Sequence, residues 1–155
     1  SLALPFAENT FDFVVSQHAS MNIPQKNTLI AAMHKVLKAE GCLLLHEVML
    51  AQDCAQTSVD YPTPWADQYD HSHLSHWPGF MQLAHAIGFN LIKFEDNTMD
   101  ALEWLHKTRN QPPPPPFTPN IALGPTAGMM SANMLRNLQQ GRLQIVSASL
   151  VKASS

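Results

Sequence analysis

The run from Phe11 to Met49 constrains the fold most, because two short apolar stretches flank one amphipathic stretch across very short links. Phe11 to Ser16 is apolar apart from Asp12 and rich in Val and Phe, the pattern of a central, parallel-type strand covered on both faces. Asn22-Ile23-Pro24 then predicts a helix start, with Asn22 or Ile23 at the cap and Pro24 in the first turn, where its missing N–H costs little. Leu29, Ile30, Met33, Val36 and Leu37 share one face at helical spacing, which predicts a helix over 24–38, and Gly41 is placed for the left-handed position after it. Cys42 to Met49 follows as a second buried strand. A strand–helix–strand unit with short links implies a right-handed parallel crossover, so the fold class is α/β.

Beyond Met49 the periodicity changes. Residues 50–77 turn to Asp, Gln, Ser, His and Pro with scattered aromatics, and a loop of that length in a compact domain is usually functional or mobile. A helix resumes near Pro78 and runs to Gly88, a strand covers 89–95, and Thr98 is placed to cap a helix carrying Met99, Leu102 and Leu105. Pro112 to Pro116 reads as a stiff polyproline spacer. A last amphipathic helix over 126–140 ends at Gly141, and the strand over 143–151 suits an antiparallel edge strand on an otherwise parallel sheet. The organisation expected is one partial domain: a strand–helix–strand core at 1–49, a substrate or lid loop at 50–77, and the remaining helices and strands at 78–155.

Composition excludes several function classes. Among 155 residues, 45% are hydrophobic and 14% charged, a globular balance. A net charge of -3 and the lack of any Lys/Arg cluster argue against a nucleic-acid partner. No apolar run approaches a membrane span. The two cysteines, Cys42 and Cys54, are too few and too irregular for a disulfide framework or a zinc knuckle, which fits a soluble protein of the reducing cytoplasm. His71, His73 and His76 are spaced as a metal site sometimes is, but the segment reads better as a solvated His-rich loop, and no metal is expected.

Several stretches taken together carry a resemblance. Leu4-Pro5-Phe6, Phe11-Asp12-Phe13-Val14-Val15-Ser16-Gln17-His18, Met21-Asn22-Ile23-Pro24, and Val36-Leu37-Lys38 with Gly41 resemble class I S-adenosylmethionine-dependent methyltransferases. Pro62-Thr63-Pro64-Trp65-Ala66, Ala86-Ile87-Gly88-Phe89, Asn133 to Leu138 and Gly141-Arg142-Leu143 are similar to a bacterial small-molecule branch of that group. The resemblance implies that the chain is the carboxyl-terminal half of a Rossmann-like sheet, mostly parallel with an antiparallel final strand. The family's glycine-rich cofactor loop and its ribose-binding acid have no counterpart here and are expected upstream of Ser1. The missing amino-terminal half, or a second copy in a homodimer, is then the expected macromolecular partner.

Ligands of such a sheet bind at the carboxyl ends of its strands. The resemblance makes Ser16, Gln17 and His18 candidate S-adenosylmethionine contacts, and His18 a candidate base, because imidazole titrates near the working range. A buried polar pair that merely finishes the strand is the plainer alternative. Met21 and Asn22 border the same opening as candidate contacts to a small-molecule substrate. Glu47 either meets a substrate amine or satisfies loop N–H groups, while His46 reads as structural. Trp65, with Tyr61 and Tyr69, is expected either to line a water-excluding lid or to anchor the loop. The reaction implied is methyl transfer by the full-length protein, the fragment alone being inactive. A dinucleotide oxidoreductase lacks support because no Gly-x-Gly-x-x-Gly occurs. A non-catalytic α/β module that associates through its exposed sheet edge is the alternative.

Overall fold

In the computed structural model, residues 4–109 and 123–154 are described, so the polyproline segment lies outside the described residues. A sheet in the order β1-β2-β4-β3 carries two helices on each face. β1 is Phe11–Gln17, α1 Lys26–Val36, β2 Leu37–Leu50, α2 Trp77–Ile87, β3 Phe89–Asp96, α3 Thr98–Arg109, α4 Ala127–Gln139 and β4 Leu143–Lys152.

β1 and β2 pair in parallel, as the crossover requires, with Val14 opposite Leu43 and Gln17 opposite His46. The expectation of a mostly parallel sheet is overturned, because β4 pairs antiparallel with both β2 and β3. Nor is β4 an edge strand. It is inserted between β2 and β3, so two of the three ladders are antiparallel. The consequence is useful: the strand ends at Gln17, Leu50 and Asp96 fall along one side of the sheet, where β4 begins.

β1 also departs from expectation. Val14 packs toward the α1/α2 core, but Phe13 is 65% and Val15 67% exposed, so β1 lies at the end of the sheet with one face open among the described residues. The period-two alternation of a strand sends these two side chains together to the face opposite α1. Helix α1 begins two residues after Pro24, with Gln25 as its cap residue, and passes directly into β2 at Leu37. Glu40, with φ 61°, takes the left-handed conformation that had been assigned to Gly41. Gly41 is needed for another reason. A Cβ there would stand 2.9 Å from the Lys38 carbonyl oxygen and 3.2 Å from that of Asp12, so this bend of β2 passes too close to the backbone for a side chain.

The main core joins Ile30 and Met33 of α1, Phe80 and Ala84 of α2, and Leu43, Leu45, Phe89, Val146 and Leu150 of the sheet. The opposite face holds a second cluster around Met21, Val48, Val59, Leu138 and Ile145. Val59, Tyr61, Trp65 and Leu74 of the segment 51–76 pack on this face. The fully buried Asn137 accepts from the Asp60 N–H and donates to the Asp60 carbonyl, both at 2.9 Å, in the manner of a short backbone ladder. The Asp60 carboxylate pairs with Arg136 at 2.8 Å and Arg142 at 2.9 Å, and Asn133 donates to the Pro62 carbonyl.

Gly88 closes α2 at φ 110°, and its N–H returns to the last turn of the helix. A Cβ there would stand 3.1 Å from His34 Nε2. Gly88→Ala is therefore expected to cost ~1–2 kcal/mol of stability in urea denaturation, whereas Gly79→Ala, in open space within α2, costs nothing or gains slightly.

Candidate functional site

The β1–α1 turn is built on one carboxylate. Ser16 points inward from the last turn of β1, and its hydroxyl donates to Glu47 Oε1 at 2.6 Å. Ser20 donates to Oε2 through both its hydroxyl, at 3.0 Å, and its N–H, at 3.3 Å, and the Ala19 N–H reaches Oε1 at 3.4 Å. Glu47 is 0% exposed. Its oxygens are committed to this turn, so the geometry favours the satisfied-loop alternative for Glu47 over contact with a substrate amine. Ser16 is likewise buried and directed to Glu47 rather than to an open surface.

A buried cation completes the turn from below. Lys26 Nζ donates to the carbonyls of Ser20, Ile23 and His73, three acceptors for the three protons of an ammonium. Burial pulls the Lys26 group down to about 8, with the Glu47 carboxylate acting in the opposite sense. The ammonium therefore stays charged at neutral pH and fastens residues 20–23 to the His-rich segment.

Held between these two anchors, His18 takes φ 48°, an uncommon left-handed conformation for a side-chain-bearing residue. Its N–H donates to the His46 carbonyl, and the two imidazoles meet edge to face with centroids 4.9 Å apart. His46 is fixed in turn by the contact of Nδ1 with Ser147 Oγ at 2.8 Å. Burial depresses the His18 pKa, His46 depresses it further and Glu47 opposes both, so His18 is neutral at neutral pH.

His18 and His46 open on a cavity of about 520 Å³ between the sheet and helices α3 and α4, a size suited to a small ligand. Ile145 and Ser147 of β4, Asn97 at the end of β3, Asp100 and Trp104 of α3, and Met134 and Leu138 of α4 complete the lining. α3 is set against β4 at its first turn, where the Asn97 N–H donates to the Ile145 carbonyl and the Ile145 N–H donates to Thr98 Oγ1.

Of the residues singled out from sequence, only His18 lines this cavity. Gln17 is exposed at the tip of β1. Met21, Asn22 and Trp65 do come together, but beside the cavity: Met21 is buried in the second core, Asn22 donates to the Trp65 carbonyl, and the Trp65 indole N–H donates to Ser72 Oγ at 3.0 Å. Trp65 thus anchors the loop. His46, Asn97, Asp100, Trp104 and Ser147 were not candidates. The strand-end rule would have found Asn97, which follows β3 as His18 follows β1. Among the described residues no group of three or more His, Cys, Asp or Glu could hold a metal ion, and no helix is long and apolar enough to cross a membrane.

Residues 1–45 match the methyltransferase domain family. The fold as a whole is similar to that of solved methyltransferase structures. The chain is 28% identical over 96 residues to a sarcosine/dimethylglycine N-methyltransferase of Halorhodospira halochloris, covering 61% of this chain and 33% of that one. The fold is similar, with a TM-score of 0.73 at 18% identity, to phosphoethanolamine N-methyltransferase 2 of Haemonchus contortus in complex with S-adenosyl-L-methionine, over 96% of this chain and 35% of that one. It is also similar, with a TM-score of 0.70 at 12% identity, to geranyl diphosphate C-methyltransferase of Streptomyces coelicolor A3(2), over 98% of this chain and 50% of that one. The chain therefore spans half or less of the length of these proteins.

The electrostatics of the turn give a signed expectation. By NMR titration the His18 midpoint is expected below its ordinary value near 6.5; His46→Asn raises it, and Glu47→Gln lowers it further. Because the folded chain then binds this proton less readily than the unfolded chain, stability attributable to His18 is full above about pH 6.5 and lost as pH falls through the folded midpoint. Glu47→Gln, which turns an amide toward buried donors, is also expected to cost ~2–3 kcal/mol by urea denaturation.

Proposed function

We propose that the full-length protein transfers a methyl group from S-adenosylmethionine to a small-molecule acceptor, and that this chain supplies the acceptor side of the site. The observation that carries the reading is the meeting of His18, just past the end of β1, with His46 of the neighbouring parallel strand β2, both lining a ligand-sized cavity. That is where a sheet of this kind binds ligands. Gln17 and His18 are the residues that would hold the cofactor: both stand at the open tip of β1, whereas Ser16 is spent on Glu47. When bound, the cofactor supplies an electrophilic methyl group. The chain's own contribution is to position the acceptor in the cavity, exclude water with Leu105, Met134, Leu138 and Ile145, and accept a proton at the neutral His18 imidazole. The partial coverage of its relatives supports the further reading that the 155-residue chain alone is inactive.

In calorimetry, the 155-residue chain is expected to give no saturable heat with micromolar S-adenosylmethionine. A chain extended upstream through a glycine-rich loop and a following acid is expected to bind. In the extended chain, His18→Asn keeps the left-handed turn, which Asn tolerates, and lowers kcat/KM on the acceptor by ~10²-fold. Micromolar binding by the short chain, or none by the extended one, overturns the reading.

The exposed Phe13 and Val15 favour a second reading, a non-catalytic module that associates through the β1 side of its sheet. Covering them would gain ~1.5–3 kcal/mol per side chain. A self-association that Phe13→Thr abolishes, together with no cofactor binding by the extended chain, is the result that selects it.

A further inference from the structure

The wall of the cavity opposite the histidines comes from one helix face. Asp100, Ala101, Trp104 and Leu105 recur at helical spacing, so α3 turns a carboxylate and an indole toward the same space. Among the described residues Asp100 makes no salt bridge. Trp104 is 63% exposed and is held in no aromatic pair among the described residues. An anion and a π face both attract the same kind of group, a cationic nitrogen. The remaining lining sharpens the choice. No Lys or Arg lines the cavity, so nothing there would neutralise a phosphate or carboxylate, and the apolar side chains of Leu105, Met134, Leu138 and Ile145 suit alkyl substituents. His18 adds no fixed positive charge, since burial holds it neutral.

We propose that this cavity is a cation subsite for an alkylated amine, with Asp100 as counter-charge and Trp104 as the π face. The subsite rests on the methyl-transfer reading for its role as acceptor site, but recognition of the cation does not require the cofactor. Asp100 and Trp104 are specificity-determining residues in this scheme, and His18 remains the group that takes the proton.

The test is calorimetric titration of the 155-residue chain with choline and with its uncharged carbon isostere, dimethylbutanol, in the absence of cofactor. Choline is expected to bind at least ~10-fold more tightly than the isostere, Asp100→Asn to weaken choline ~2–5-fold, and Trp104→Leu to weaken it ~3–30-fold. Asp100→Glu, which keeps the charge on the same exposed helix position, should retain most of the affinity and guards against a folding artefact, as does an unchanged thermal midpoint for each variant. Equal binding of choline and the isostere, absence of choline binding, or indifference to both Asp100→Asn and Trp104→Leu overturns the subsite. If choline binds as expected while the extended chain fails to bind S-adenosylmethionine, the methyl-transfer reading falls and the subsite stands; the reverse pattern removes the subsite alone.

Discussion

The site depends on a single buried carboxylate. Glu47 stands on the α1/α2 side of β2, yet both its oxygens are turned to the chain that leaves β1, and they collect donors from Ser16, Ala19 and Ser20. A charge taken out of water is tolerable only when its lone pairs are met, and the cost of leaving it unmet is what makes this turn specific. Lys26 balances it: three carbonyl oxygens converge on one ammonium, two of them from the same turn and one from His73. Between them the two residues account for the polar backbone of a tight link that could not otherwise be buried. The left-handed backbone of His18 is maintained by this enclosure, and the imidazole reaches His46 because of it.

The fold was legible wherever a segment's pattern reports its own local structure. The amphipathic spacing of Leu29, Ile30, Met33 and Val36 located α1, Gly88 marked the end of α2, and Gly141, at φ 63°, separates α4 from β4. Strand order was not legible, for a physical reason. β4 sends Val146, Ala148 and Leu150 into the main core and Ser147 and Ser149 to the other face. That alternation looks like a half-solvated edge strand, whereas here the serines line cavities beside a neighbouring strand on each side. Phe13 and Val15 mislead in the opposite direction, since an apolar strand reads as covered on both faces even where nothing among the described residues covers it.

The site was legible in its first residue and little further. His18 follows from one local argument, a polar residue just past a parallel strand. The groups that face it are brought in by pairings across 101 residues, as between His46 and Ser147, or by the docking of α3 on Ile145. Glu47 illustrates the limit: sequence left open whether it meets a ligand or loop N–H groups, and only burial distinguishes them. Trp65 is comparable, an aromatic in a long loop whose indole N–H is directed to Ser72 and not to the cavity.

The insertion of β4 also bears on why the histidine-lined cavity lies on the α3/α4 face of the sheet. On the α1/α2 side, β4 contributes Val146, Ala148 and Leu150, and Phe80 and Phe89 fill the space between helices and sheet. On the α3/α4 side the same strand contributes Ser147 and Ser149, so its large apolar side chains facing α3 stop at Leu143 and Ile145. Interiors close to the density of organic crystals when side chains fill them, and the short side chain of Ser147 leaves space between sheet and helices unfilled. Ser147 then serves twice. Its size opens the cavity, and its hydroxyl fixes His46, which in turn sets the electrostatic environment of His18. A larger apolar residue at 147 would close the space and release the imidazole in one step, which makes the small size of this residue a condition of the site and not a gap in the core.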